Sequence, residues 1–289
     1  MNLCRTLLFA PGTERRKMEK AFTLGADAVI LDLEDAVAHS QKEQARELVS
    51  LILGGPLPLP TFVRVNGVNS PYIYKDLHAV VTAGLAGIML AKAETREDVR
   101  RADWLLGLLE ADRGLVPGEL ELVPFLESPR GIQNAPEIAA ACPRVKRLAF
   151  GGNDYTTDTG TYYSTTGEEL FYARSRLVAA AGAAGIEAPL DTVCPFIKDV
   201  TALREDALRA RRLGMGGKLV IHPAQIGPAN EVFSPTEAEV ATARKIVAAF
   251  EEAEAGGAGV IQVEGKMIEY PVARRARQIL RAAEHFKES

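Results

Sequence analysis

Short runs of apolar and β-branched residues recur along the chain, each followed by a longer stretch whose apolar positions fall at helical spacing. The runs at Thr6–Ala10, Ala28–Leu33, Thr61–Val65, Gly87–Ala91, Leu120–Leu126, Arg147–Gly151, Glu187–Leu190 and Lys218–Ile221 read as strands. Glu14–Leu24, Gln41–Ile52, Thr95–Glu110, Ala135–Ala141, Glu168–Ala184 and Asp199–Leu213 carry the Ala, Leu, Glu and Arg content of helices. Eight βα units in about 230 residues predict a parallel (β/α)8 TIM barrel. A doubly wound open sheet is the alternative, but no GxGxxG follows the first strand.

Past Ile226 the rhythm changes. Pro235 opens a helix running to about Ala255, and Gly256-Gly-Ala-Gly259 breaks it. Val260 to Glu269 reads as a hairpin turning at Glu264-Gly265, and Pro271 starts a last, basic helix. The chain is therefore expected to divide into a catalytic barrel, 1–226, and a C-terminal helical and hairpin arm, 227–289. Met267, Ile268, Tyr270 and Val272 call for a covering surface, and a neighbouring subunit is the expected one.

With 289 residues, 47% of them hydrophobic and 25% charged, the chain has the balance of a soluble globular protein with a large core. A net charge of −4 argues against a nucleic-acid or membrane-surface role. No apolar run reaches the length of a membrane span, and the N-terminus enters a strand without a leader pattern, so a cytoplasmic protein is expected. Cys4, Cys142 and Cys194 suit a reduced compartment, and His39, His78, His222 and His285 form no zinc motif.

In such a barrel, function collects where the strands end. The run Phe150-Gly-Gly-Asn-Asp-Tyr-Thr-Thr-Asp-Thr-Gly160 follows the buried strand Arg147-Leu-Ala-Phe150. Its paired glycines let backbone approach a ligand, and Asp154 is a hard oxygen donor. The preceding strand ends in Glu127-Ser-Pro-Arg-Gly131. Glu127 and Asp154 at the ends of successive strands, both at a solvent-open mouth, suit Mg²⁺, with waters and two substrate oxygens completing the octahedron. The competing view makes Asp154 a helix cap and Glu127 a solvated charge. Strand 2 ends in Asp32, Glu34 and Asp35, strand 3 in Arg64 and Asn66, strand 4 in Lys92 and Glu94, strand 7 in Asp191, strand 8 in His222. Asp32, Glu34 and Asp35 are too many charges for one metal, so some are expected to act through water or to orient Lys92 and Arg64. The Arg64 fork suits a substrate carboxylate or an enolate oxygen. Backbone N–H groups of Gly131, Gly152 and Asn153 are candidate cradles for a substrate carboxylate.

These residues carry a resemblance. Arg5-Thr-Leu-Leu-Phe-Ala-Pro-Gly12, Leu31-Asp-Leu-Glu-Asp-Ala36, Val63-Arg-Val-Asn66, Lys92-Ala-Glu94, Leu126-Glu-Ser128, Phe150-Gly-Gly-Asn-Asp-Tyr155, Gly217-Lys-Leu-Val-Ile-His-Pro-Ala-Gln-Ile226 and Glu264-Gly-Lys-Met-Ile-Glu-Tyr-Pro271 occur in one order over nearly the whole chain. The series resembles the citrate lyase beta-subunit-like family, relatives of malyl-CoA and citramalyl-CoA lyases in the HpcH/HpaI superfamily. The resemblance implies metal carboxylates at Glu127 and Asp154, with Mg²⁺, or Mn²⁺ in its place, and a substrate arginine at Arg64. It also implies a coenzyme A loop at Pro11 and Gly12, extended to Lys17, with coenzyme A as part of the substrate. Arg64, Asp35 and Glu269 are the expected catalytic groups, and the oligomer is expected to be a homotrimer or hexamer.

Some positions depart from the family. Lyase relatives carry an Asp, delivered from a neighbouring subunit as acid/base, where this chain has Glu269. Ala91 stands where relatives usually have Pro, and Ser128-Pro129 replaces Thr-Ala. The expected activity is Mg²⁺-dependent cleavage of a citramalyl-CoA or malyl-CoA type thioester to acetyl-CoA and a 2-oxo acid, or the reverse condensation. Two alternatives stand beside it. One is a class II pyruvate aldolase without coenzyme A, a group that places a histidine base where this chain has Asp35. The other is a citrate lyase beta subunit acting only within a complex with an acyl carrier.

Overall fold

The computed structural model describes residues 4–288. Eight parallel strands close into a barrel in sequence order: β1 Thr6–Pro11, β2 Ala28–Asp32, β3 Thr61–Val65, β4 Gly87–Leu90, β5 Glu121–Leu126, β6 Ala149–Phe150, β7 Leu190–Asp191 and β8 Gly217–Val220, with β8 pairing back onto β1. The expected TIM barrel is the observed fold. Its interior is filled by Leu7, Ile30, Phe62, Met89, Val123, Phe125 and Leu219, contributed in turn by different strands.

The surrounding helices are α1 Arg15–Ala21, α2 Lys42–Leu53, α3 Ile73–Val80, α4 Arg96–Asp112, α5 Pro129–Gln133, α6 Ala135–Ala139, α7 Gly152–Asp158, α8 Phe171–Ala184 and α9 Val200–Leu213, followed by α10 Ile226–Phe233. Thr95 starts α4 with a reciprocal capping box to Asp98, and Asp199 caps α9 through the Ala202 N–H. Helices α3, α5, α7 and α10 lie outside the sequence expectation; in α7 the run Gly-Asn-Asp-Tyr-Thr-Thr-Asp holds few strong helix formers.

β6 and β7 are shorter than expected. Pro189 has no N–H, and the ladder begins only where the Leu190 N–H reaches the Leu148 carbonyl at 2.8 Å. Glu187, expected inside the strand, instead bonds the Lys146 carbonyl and pairs with Arg147.

The chain divides into two compact units, one of Cys4–Asn230 and one from Glu231 onward. The second holds α11 Glu237–Ala255, the antiparallel hairpin β9 Val260–Val263 with β10 Lys266–Glu269, and α12 Tyr270–Glu288. Glu264 and Gly265 both take positive φ, 48° and 77°, as a two-residue turn of this hand requires. Phe250, Ile268 and Ala273 form the core of this unit, with Val272 packed against it. Ile268 and Val272 therefore find cover within their own unit, contrary to the expectation that they await a neighbour. Met267 and Tyr270 remain largely exposed. No helix among the described residues is long and apolar enough to cross a membrane.

Candidate active site at the barrel mouth

A cavity of about 340 Å³ opens over the strand ends, lined by Phe9, Pro11, Asp32, Asp35, Arg64, Phe125, Gly151–Asp154, Thr192, Val193 and Ile221 among others. Beneath it lies Glu127, at the end of β5 and only 2% exposed. One of its oxygens accepts the Lys92 N–H at 2.7 Å; the other, Oε2, is buried without a hydrogen-bond partner. Burial drives the Glu127 carboxyl well above its ordinary range; Arg64 opposes this, while Glu34 and Asp154 add to it. Glu127 is thus neither a solvated charge nor at a solvent-open position. Asp154 lies half-buried in the first turn of α7.

Gly151 explains how the two are brought together. A Cβ there would stand 2.7 Å from Glu127 Oε2 and 2.6 Å from the Phe125 ring, so only glycine lets the backbone cross this carboxylate. Lys92, whose N–H holds the other oxygen, takes a left-handed φ of 53°, unusual for a side-chain-bearing residue. An orphaned, buried carboxylate oxygen beside a second carboxylate fits a hard divalent cation, which dehydrates reluctantly and needs few protein ligands. Among the described residues no group of three or more His, Cys, Asp or Glu gathers as a ligand set, so two carboxylates would be the whole protein share.

Arg64 is placed differently from the expectation. Its fork is already taken: Nε meets Asp32 Oδ1 at 2.8 Å and Nη2 meets Asp32 Oδ2 at 2.6 Å. The plane lies against Phe9 and Phe125, and Nη1 makes only a long 3.4 Å ion pair to Glu34. A buried guanidinium needs a counter-charge, and Asp32 supplies it. The role left for Arg64 is a fixed positive charge in the cavity wall, rather than a bidentate clamp.

Glu34 is buried and pairs with Lys92 at 2.8 Å. Burial raises its pKa, against the charges of Arg64 and Lys92. Asp35 is exposed at the cavity rim; burial acts upward on it, but bonding with Glu34 and the charges of Arg64 and Lys92 hold it below the usual carboxylate range. The acids of strand 2 do orient Arg64 and Lys92.

Two of the backbone donors offered to a substrate are used internally. The Gly131 N–H goes to Ser128 Oγ at 3.2 Å, and the Gly152 N–H to Thr192 Oγ1 at 2.8 Å. Thr192 is a cavity residue that the sequence reading missed; it follows Asp191, which alone drew notice. Asn153 lines the cavity. Pro11 does too, whereas Gly12 lies behind it with its N–H on the Asp32 carbonyl at 2.9 Å. Lys17 is exposed, paired with Glu14, and outside the cavity wall. Asp191 is fully buried in ion pairs with Arg174 and Lys218 and presents nothing to a ligand. Glu269, on β10 in the other unit, is exposed.

A family model described as HpcH/HpaI aldolase/citrate lyase matches residues 5–223. The chain is 38% identical over 285 residues to citrate lyase subunit beta of Leuconostoc mesenteroides, covering 97% of this chain and 93% of that protein. It is 40% identical over 282 residues to a (3S)-malyl-CoA thioesterase of Cereibacter sphaeroides, covering 97% and 94%. Among solved structures it is similar to the Mycobacterium tuberculosis protein CitE in complex with magnesium, acetoacetate and coenzyme A, at 31% identity and a TM-score of 0.80, over 98% of this chain and 100% of that one.

Proposed function

The chain belongs to the HpcH/HpaI aldolase/citrate lyase family, and we propose that it is a Mg²⁺-dependent lyase of a citramalyl-CoA or malyl-CoA type thioester. Its products would be acetyl-CoA and a 2-oxo acid, with the reverse condensation at the same site. That it is a lyase-type enzyme follows from the family; the thioester and the direction are the proposal. The carrying observation is the buried, partnerless Oε2 of Glu127, next to Asp154 and under an open cavity. Glu127 and Asp154 would hold the ion. When bound, it supplies Lewis-acid polarisation of substrate carbonyl and hydroxyl oxygens. The Mycobacterium tuberculosis relative carries magnesium, acetoacetate and coenzyme A together, which favours the same set of small molecules here.

Arg64, fixed by Asp32, places positive charge where an enolate oxygen develops without reorganising during reaction. Asp35 stays ionised at the rim and can accept a substrate hydroxyl proton. Asn153 and the Pro11 wall bound the substrate, and the Pro11–Gly12 turn is the proposed approach for the pantetheine chain. Glu269 of a second copy would protonate the acetyl-CoA enolate, in a cytoplasmic trimer or hexamer of barrels, each with its arm.

The test is turnover of purified chain with a panel of acyl-CoA thioesters and Mg²⁺, with products separated by chromatography. Acetyl-CoA plus a 2-oxo acid supports the reading, and free coenzyme A with the intact hydroxy acid would replace it by hydrolysis. The citrate lyase beta subunits among the relatives favour one second reading, action only within a complex. Silence on every free thioester, with activity on an acyl-carrier-linked substrate, would select it.

A further inference from the structure

Lys42, the first residue of α2, is 4% exposed, although lysine is rarely buried this far. Its ammonium donates to the Leu33 carbonyl at 2.7 Å, the Glu34 carbonyl at 2.8 Å and Asn66 Oδ1 at 2.9 Å. Three protons meet three acceptors, so the group is saturated. Two of those acceptors are consecutive carbonyls of the loop that leaves β2 and carries Glu34 and Asp35.

The anchor does not stop at Lys42. Asn66 Nδ2 donates both to the same Leu33 carbonyl, at 2.9 Å, and to Asp76 Oδ2. The Asn66 N–H meets Asp76 Oδ2 at 3.1 Å, and Asp76 Oδ1 takes Arg46 Nη1 at 3.0 Å. Asp76 is fully buried, and Arg46 is 6% exposed. Lys42 and Arg46 lie one turn apart on α2, Asn66 follows β3, and Asp76 is on α3. Residues from three elements, α2, β3 and α3, therefore join in one network that ends on two peptide carbonyls. Such convergence at an ordinary surface loop would be costly, because each buried polar group must be desolvated.

We propose that Lys42, through a tripod onto Leu33, Glu34 and Asn66, is the positioning residue that fixes the Glu34–Asp35 segment against Arg64 and Lys92. The inference rests on the lyase reading of the mouth. Glu34 bonds Lys92 and pairs with Arg64, so a shift of its backbone moves both cations at once. Lys42 touches no cavity surface, and its side chain acts only through the loop it holds.

The test compares wild type with Lys42→Met and Lys42→Arg in steady-state turnover, with Mn²⁺ binding by electron paramagnetic resonance as a readout independent of catalysis. Met retains the length of the stem without its donors. Arg retains charge but presents a planar fork, which cannot meet three converging acceptors. Both variants are expected to lose roughly 10- to 100-fold in kcat, the scale seen when outer-shell supports are removed, with Mn²⁺ affinity within about twofold of wild type, since Glu127 and Asp154 are untouched. Full kcat in Lys42→Met, or its restoration in Lys42→Arg, would overturn the tripod. If Lys42→Met does not fold, Lys42→Arg and Asn66→Ala, which removes one of the three acceptors, carry the same comparison. A wild-type chain that binds no Mn²⁺ and turns over no thioester would instead overturn the lyase reading.

Discussion

Around Lys218 the barrel buries equal numbers of opposite charges, whereas around Glu127 it buries more carboxylate than cation. In the first cluster, Lys218 donates to Asp191 at 2.6 Å, Asp206 at 2.7 Å and the Thr192 carbonyl at 2.8 Å. Arg174 spans the same two aspartates, at 2.8 Å and 3.0 Å on Asp191 and 2.7 Å on Asp206. Every acid is met. In the second, Asp32, Glu34 and Glu127 share Arg64 and Lys92, with Asp35 and Asp154 adjacent, and one carboxylate oxygen is left over. Burial alone therefore does not mark a working site. A closed charge balance holds strands and helices together, and an open one asks for a ligand.

The sharpest way to break this comparison is to neutralise the open side. Glu127→Gln, or Asp154→Asn, should cost on the order of a thousandfold or more in Mg²⁺-dependent turnover, taking the upper range for loss of one electrostatic group in the transition state. The metal-free Glu127→Gln protein should melt no lower than wild type, because a buried negative charge with one partnerless oxygen is removed. Wild-type turnover at limiting Mg²⁺ in either variant would reject that ligand.

Arg64→Lys should lose roughly a hundredfold, nearly as much as Arg64→Ala. The ammonium cannot span both Asp32 oxygens as the fork does. A fully competent Lys variant would mean that diffuse charge is enough.

The closed cluster should respond in stability instead. Asp206→Asn leaves Lys218 and Arg174 sharing one aspartate and should cost about 3–5 kcal/mol in denaturant unfolding, with kcat per folded molecule unchanged. A matching loss in kcat would erase the division between the two clusters.

The two clusters also differ in the direction of their pH dependence. Glu127 is raised, so its contribution to metal-free stability is complete below the ordinary carboxylate pKa and fades as pH climbs through its folded value. Asp206 is lowered: burial opposes this, but the charges and bonds of Lys218 and Arg174 prevail. Its contribution is complete above the ordinary carboxylate range and is lost only as pH falls below it. Mg²⁺ binding should accordingly take up no proton and release one wherever Glu127 is protonated, so affinity rises with pH. Calorimetric titration in buffers of different ionisation heat reads that release, and proton uptake would contradict the sign.

Much of this was legible beforehand, and the exceptions have physical causes. Periodicity located all eight strands, since barrel strands are apolar runs punctuated by helices. It misjudged β6 and β7, where Pro189 and the Arg147–Glu187 pair limit the ladder. The hairpin was readable from Glu264-Gly265, because that turn demands positive φ. At the mouth, residue type marked Glu127, Asp154 and Arg64, but partners cannot be read along a chain. Arg64 closing on Asp32, Thr192 taking the Gly152 N–H and Lys42 closing on Asn66 are contacts across tens of positions. The Gly-Gly pair marks close backbone approach; that Gly151 makes room for Glu127 itself depends on the neighbouring strand.

The brevity of β6 and β7 has a consequence for motion. These strands meet in a single registered pair, Ala149 with Leu190. A stave joint so thin has little ladder to protect its amides from exchange, and the Gly152 N–H on Thr192 Oγ1 is the rivet across it. Loosen that rivet and the first part of the barrel to breathe is the segment that carries Gly151 and Asp154, so slow amide exchange at Leu190 becomes a gauge of how firmly the mouth is held.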